Sequence, residues 1–238
     1  MSAPLGIIGV FVTGVPIYNP IGTSSFQDQN IWHRDAVAAE TKASALLSAL
    51  NTANGRHSPI IGFALDGYPI YGPFGRDADG NVRRMRSSYR LRAISKRTTL
   101  PDGTILTPAQ EGPAVGADFP LGFFAEDYEY APGSGDLDEF NGRFAITPEY
   151  PEGIYAYYLA SPPHSNDDNG AIAWPYLIGP RYYGDVPLNS PAYRQVRTSG
   201  RVDLRADRAR IQPGVAVILS LSIKALLASS AATLAGAG

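Results

Sequence analysis

The 238-residue chain has no cysteine, two methionines, three histidines and a charged fraction of only 18%. Without cysteine there can be no disulfide, iron–sulfur cluster or thiolate zinc site, so any metal must be held by oxygen or imidazole. A formal charge of −2 gives no general pull toward nucleic acid or an anionic membrane, so no nucleic-acid partner is expected. No membrane span is expected either: the apolar run Val215–Ile223 is too short to cross a bilayer and meets Lys224. Met1 to Pro16 lack the positive segment that opens a signal peptide. Also missing are a Gly-x-Ser-x-Gly elbow, a phosphate loop, an HExxH pair and a dinucleotide fingerprint, which removes the most readily recognised enzyme classes.

In their place the chain carries 25 glycines, 20 prolines and 14 tyrosines. Glycine and proline interrupt helices, whereas tyrosine suits a pleated, half-buried surface. The composition predicts a mainly β fold: a single domain of short antiparallel strands with long ordered loops and one helix near residues 36–50. Ile31 to Asp35 open that helix, Ala, Leu, Glu and Lys dominate it, and Asn51 to Gly55 stop it. Residues 1–184 form the β domain. Residues 185–238 read as a C-terminal strand extension, with Val215, Val217, Leu219, Leu221 and Ile223 alternating, and then an Ala/Ser/Gly-rich tail.

The most informative stretch is His57 to Gly75. Ile60 to Leu65 have strand length and Asp66-Gly67 is a hairpin dipeptide. Pro69 and Pro73 interrupt the pattern beyond it, which predicts an edge or irregular strand. Asp77-Ala78-Asp79-Gly80-Asn81 resembles the start of a calcium loop but lacks its closing glutamate, so it reads as a hairpin turn. Tyr89, Leu91 and Ala93 alternate with Arg90 and Arg92, as in a half-buried strand with a cationic outer face. The basic residues from Arg83 to Arg97 form either a solvated face or a surface for an acidic partner such as a polyanionic sugar. Ile154 to Leu159 are apolar on both faces, as in a strand central to its sheet. Residues 171–180 return to strand alternation.

Two groups of side chains carry candidate chemistry. Asp136, Asp138, Glu139 and Asn141 place four oxygen-bearing side chains on a Gly-rich loop, a pattern suited to Ca²⁺ or, alternatively, to capping the loop's own amides. Asp138 and Glu139 are adjacent in an extended segment and point opposite ways, which argues against paired carboxylates for glycoside cleavage. The second group is His33 and His57 with Asp35 or Asp66, a candidate transition-metal set; the third histidine is His164. Ser58 beside His57 adjoins Pro59 and has no evident oxyanion donors.

In order along the chain, seven segments resemble the YHYH-domain family. They are Gly14 to Pro20; Trp32 with Asp35-Ala36 and Glu40; His57 to Gly75; Arg86 to Tyr89; Asp136 to Phe144; Thr147 to Pro151 with Gly153 to Tyr157; and Trp174 to Pro180. The family's name-giving Tyr-His-Tyr-His loop is absent: Glu40 to Arg56 contain neither histidine nor an aromatic residue. The chain is a reduced version of the family or lacks parts of the natural one. The resemblance implies a fold and an extracellular or cell- or virion-surface location more than a reaction, and a histidine-rich loop of that kind suits a transition metal. Two readings of function remain. One is a surface-exposed binding module for a metal ion or a polysaccharide, with no activity assigned. The other is a structural subunit of a surface assembly such as a virion, fibre or filament, with copies of itself as partners.

Overall fold

The computed structural model describes residue 3 and residues 6–35, 55–161 and 172–186. The helix expected at 36–50, His164 and the C-terminal extension from 187 onward lie outside the described residues.

Short strands form because apolar and aromatic residues alternate for only three to five positions before a turn residue intervenes. In chain order they are β1 (Ile7–Phe11), β2 (Pro16–Tyr18), β3 (Ile21–Ser25), β4 (His33–Asp35), β5 (Ile60–Ala64), β6 (Pro69–Tyr71), β7 (Phe74–Arg76), β8 (Val82–Arg84), β9 (Tyr89–Leu91), β10 (Tyr128–Tyr130), β11 (Gly142–Ala145) and β12 (Ile154–Tyr158). Six of them make one sheet in the order β11-β12-β6-β5-β1-β2, and the others pair as β3–β4, β7–β8 and β9–β10. All pairings are antiparallel except β12 with β6. The fold is mainly β, built of short strands, as the composition predicts.

The two hairpin turns read from local chemistry are present. Gly67 has φ +90°, which glycine adopts without strain, and the Gly67 N–H donates to the Ala64 carbonyl at 3.0 Å. Asp77 Oδ1 accepts the N–H groups of Asp79 and Asn81 at 3.0 and 2.9 Å, so this aspartate organises its own turn.

Other expectations need correction. Of the two alternatives for β6, it is the irregular strand and not the edge strand: it lies between β5 and β12, with a register shift against β5. Pro69 is tolerated there because it is the first residue of the strand, where a missing N–H interrupts the ladder least. Residues His33 to Asp35 form β4 against β3 rather than the start of a helix. On β9 the alternation fails at Leu91: Leu91 is exposed while Arg92 is buried and donates to the carbonyls of Thr99, Glu126 and Leu100. Residues 172–180 contain turns and no strand. Pro175 cannot donate to a ladder, and Tyr176 takes φ +71°.

β12 has β11 on one side and β6 on the other and divides the core, as its two apolar faces predict. Tyr155 and Tyr157 enter one cluster with Ile8, Ile17, Ile70, Ile178 and Tyr182. Ala156 and Tyr158 enter another with Ile60, Tyr71, Met85 and Leu137. A third cluster surrounds Trp32, Leu106 and Phe124. Beside it, Arg97 and Asp127 form a wholly buried ion pair with N···O distances of 2.7 and 2.8 Å. Arg97 also donates to the carbonyls of Pro113, Phe119 and Pro120, and so ties down loop segments that carry no strand of their own. No helix among the described residues is long and apolar enough to cross a membrane.

Candidate functional site

The four side chains of the predicted transition-metal set have separate protein partners. Glu126 accepts both the His33 amide N–H and the His33 Nδ1–H at 2.7 Å. That hydrogen bond holds the His33 imidazole above its ordinary pKa, against the opposing effect of burial. Asp35 is fully buried and accepts the Tyr176 hydroxyl at 2.7 Å. His57 donates Nδ1–H to the Ser58 carbonyl at 2.7 Å, which places the lone pair of the neutral ring on Nε2. Asp66 Oδ2 accepts the Tyr157 hydroxyl at 2.6 Å and the Gly184 N–H at 3.0 Å. Among the described residues no three His, Asp or Glu side chains are grouped to hold one metal ion. Ser58 Oγ accepts the Phe74 N–H and is buried, a structural role.

The predicted calcium group is likewise divided. Asp136 receives a bidentate contact from Arg83 at 2.7 and 2.5 Å and further hydrogen bonds from Arg86. Burial alone would raise its pKa, and the hydrogen bonds from the two arginines outweigh that and lower it. Asp138 Oδ1 accepts the N–H groups of Phe140 and Gly142, and the Tyr155 hydroxyl lies 2.9 and 3.0 Å from its two oxygens. Glu139 pairs with Arg181 at the surface. The Asn141 amide nitrogen donates to the carbonyls of Tyr158 and Leu177, so this side chain joins β12 to the 172–180 segment. The basic run is absorbed in the same manner: Arg83 and Arg86 by Asp136, Arg90 by Glu129, and Arg92 and Arg97 by interior acceptors.

A recurring device explains where the carboxylates go. Tyr157, Tyr155, Tyr176 and Tyr71 donate to Asp66, Asp138, Asp35 and Glu149, respectively. A chain with 14 tyrosines has enough phenols to satisfy acids that its turns and strands bring inward. Burial pushes the carboxyls of Asp66 and Asp138 up, and the hydrogen bonds they accept oppose it.

On one side of β12 this device builds an aromatic platform. The Tyr183 ring lies parallel to Tyr155, 3.6 Å between centroids and 5° apart, with 48% of Tyr183 exposed. Tyr68 meets both rings edge-on at 5.4 Å and Phe140 meets Tyr183 edge-on at 5.8 Å. Arg181 lies over Phe140 at 5.6 Å and pairs with Glu139 on the rim. The platform is held from below: the Tyr157 oxygen accepts the Tyr183 N–H at 2.9 Å, Asp66 accepts the next amide, and the buried Tyr182 hydroxyl reaches the Ile8 carbonyl at 2.9 Å. Such a surface offers an apolar ring face bordered by a cation and an anion.

On the other side lie His57, Tyr71, Tyr158, Arg143 and Glu149. Tyr71 is edge-on to His57 at 4.8 Å, stacked on Tyr158 at 5.6 Å and hydrogen-bonded to Thr147 and Glu149 at 2.9 Å each. Burial lowers the His57 pKa and raises the Tyr158 phenol to about 12.

With this geometry in place, comparison with known proteins supplies the family: the model described as YHYH protein matches residues 41–166, more than half of the chain. The chain belongs to the YHYH family. No curated protein and no solved structure matches it. In this YHYH protein, motif reading reached Asp66, Asp138, Glu139 and His57 but missed Tyr68, Tyr183, Arg181 and Arg143. The tyrosine count was the one signal pointing to Tyr68 and Tyr183, and it carries no position.

Proposed function

We propose that this YHYH protein is a surface-exposed, extracellular module that binds a neutral polysaccharide on the Tyr68–Tyr183 platform. The observation that carries the reading is the outward face of Tyr183, with Tyr155 covering the other face. A pyranose presents an apolar C–H face and a rim of hydroxyls, which matches a tyrosine face bordered by Arg181 and Glu139. The arginines between Arg83 and Arg97 have internal or ion-pair partners, which favours a neutral chain over a polyanion.

The test is affinity electrophoresis against a panel of neutral polysaccharides with the intact chain and Tyr183→Ala. Loss of an exposed aromatic anchor at a binding hot spot costs about 2 kcal/mol, roughly a 30-fold loss of affinity. Equal retardation of both proteins would refute the platform. The second reading, a structural subunit of a surface assembly, is favoured by one feature. Phe144 and Ile146 are 66% and 57% exposed on and just beyond β11, an edge strand. Concentration-dependent self-association lost in Phe144→Lys would support it.

A further inference from the structure

Among the described residues, the His57 cluster contains hydrogen-bonding groups whose protein partners are few or distant. Arg143 is half-buried, yet among the described residues its guanidinium has no carboxylate partner; its polar contact is Met85 Sδ at 3.9 Å. A planar, five-donor cation in that condition retains most of its capacity for an oxyanion. His57 Nε2 carries the lone pair and accepts the Tyr158 hydroxyl at 3.4 Å, a long hydrogen bond that a better-placed donor can replace. Tyr158 is the neighbour both groups share: it contacts the imidazole, and it packs in one cluster with Met85, on which the Arg143 guanidinium lies. Arg76 adds positive potential at His57, while Glu149, occupied by Tyr71, supplies the opposing charge. Three half-buried polar side chains, His57, Arg143 and Glu149, thus come from three chain segments to surround two buried phenols. Arg143 and Tyr158 face away from Tyr155 and Tyr157 on the strand pair, so this cluster is separate from the aromatic platform.

We propose that this cluster binds a hydroxycarboxylate. Arg143 takes the carboxylate bidentately, and His57 Nε2 accepts the hydrogen of a neighbouring hydroxyl. The Tyr71 and Tyr158 rings orient the imidazole as positioning residues. The same chemistry is presented by a small free hydroxy acid and by a uronic acid residue of a polysaccharide.

The experiment follows the His57 ring resonances of the intact chain by NMR during titration with sodium lactate, sodium D-glucuronate and sodium acetate at constant ionic strength. Saturable shifts with lactate and glucuronate, at least tenfold weaker with acetate, support the site; a response to glucuronate alone also supports it and assigns the source as a uronic acid. Arg143→Gln should weaken the interaction by about tenfold or more, while Tyr183→Ala leaves it unchanged. Arg143→Lys, which keeps the charge but loses the bidentate fork, should fall between wild type and Arg143→Gln. The absence of saturable shifts, an equal response to acetate, or an undiminished response in a folded Arg143→Gln protein would overturn the proposal. Because the platform is tested through Tyr183 and neutral sugars, failure of either reading is visible separately.

Discussion

Replacing Tyr157 by phenylalanine removes one oxygen from a side chain with no exposed surface. That oxygen donates to Asp66 at 2.6 Å and accepts the Tyr183 N–H at 2.9 Å. A hydrogen bond to a carboxylate contributes about 1.5–3 kcal/mol and a neutral one about 0.5–1.5 kcal/mol, so Tyr157→Phe should cost about 2–4 kcal/mol. Against a typical domain stability of about 5–15 kcal/mol this is readily measured by urea unfolding. The loss should also depend on pH. Burial already holds the Asp66 carboxyl above its ordinary value, and the Tyr157 hydroxyl opposes that rise. Without the hydroxyl the folded pKa moves further up, so the folded state takes up its proton earlier than the unfolded chain does. The part of the destabilisation that comes from the Asp66 charge is therefore absent below the unfolded pKa and appears as pH rises through the folded one, added to the pH-independent loss of the bond to the Tyr183 amide. The penalty should be larger at neutral pH than in acid. Tyr155→Phe is the comparator: it loses the bond to the Asp138 carboxylate but, among the described residues, none to a backbone amide, so the cost should be about 1.5–3 kcal/mol. Tyr157→Phe should also weaken polysaccharide retention, because it frees the amide that positions Tyr183. A loss below about 0.5 kcal/mol, or a penalty that grows toward acid, would refute the reasoning.

His33 and His57 should titrate on opposite sides of 6.5 in an NMR pH series, His33 above because of Glu126 and His57 below because of burial. The stabilisation from His33 is then complete below pH 6.5 and fades as pH rises through its folded value, whereas that from His57 is present above pH 6.5 and fades as pH falls; reversed order would contradict the assigned partners. Arg97→Ala should destabilise by about 3–5 kcal/mol in denaturant unfolding, since it strands Asp127 as a buried charge with 0% side-chain exposure. A cost under about 1 kcal/mol would mean that water reaches the site.

What the sequence by itself determined is chiefly what short-range chemistry controls. Asp66-Gly67 and Asp77 to Asn81 make their turns with partners two to four residues away, so composition and order suffice. The central position of β12 followed from an apolar pattern on both faces, and the ordered run of motifs indicated the YHYH family. Tertiary structure decided the rest. Pro69 reads as an edge signal until β12 is seen pairing beside it. Arg92 and Arg97 read as a cationic face until the carbonyls and Asp127 that receive them are placed. The candidate ligands Asp66 and Asp35 have protein partners that nothing local reveals, 91 residues away for Asp66 and 141 for Asp35. A phenol and a carboxylate pair only after the chain has paid the entropy of bringing distant segments together, and that cost is met by packing the two faces of β12 rather than by any motif. The Tyr183 platform and an Arg143 without a carboxylate partner among the described residues are outcomes of the same packing, which is why neither could be read along the chain.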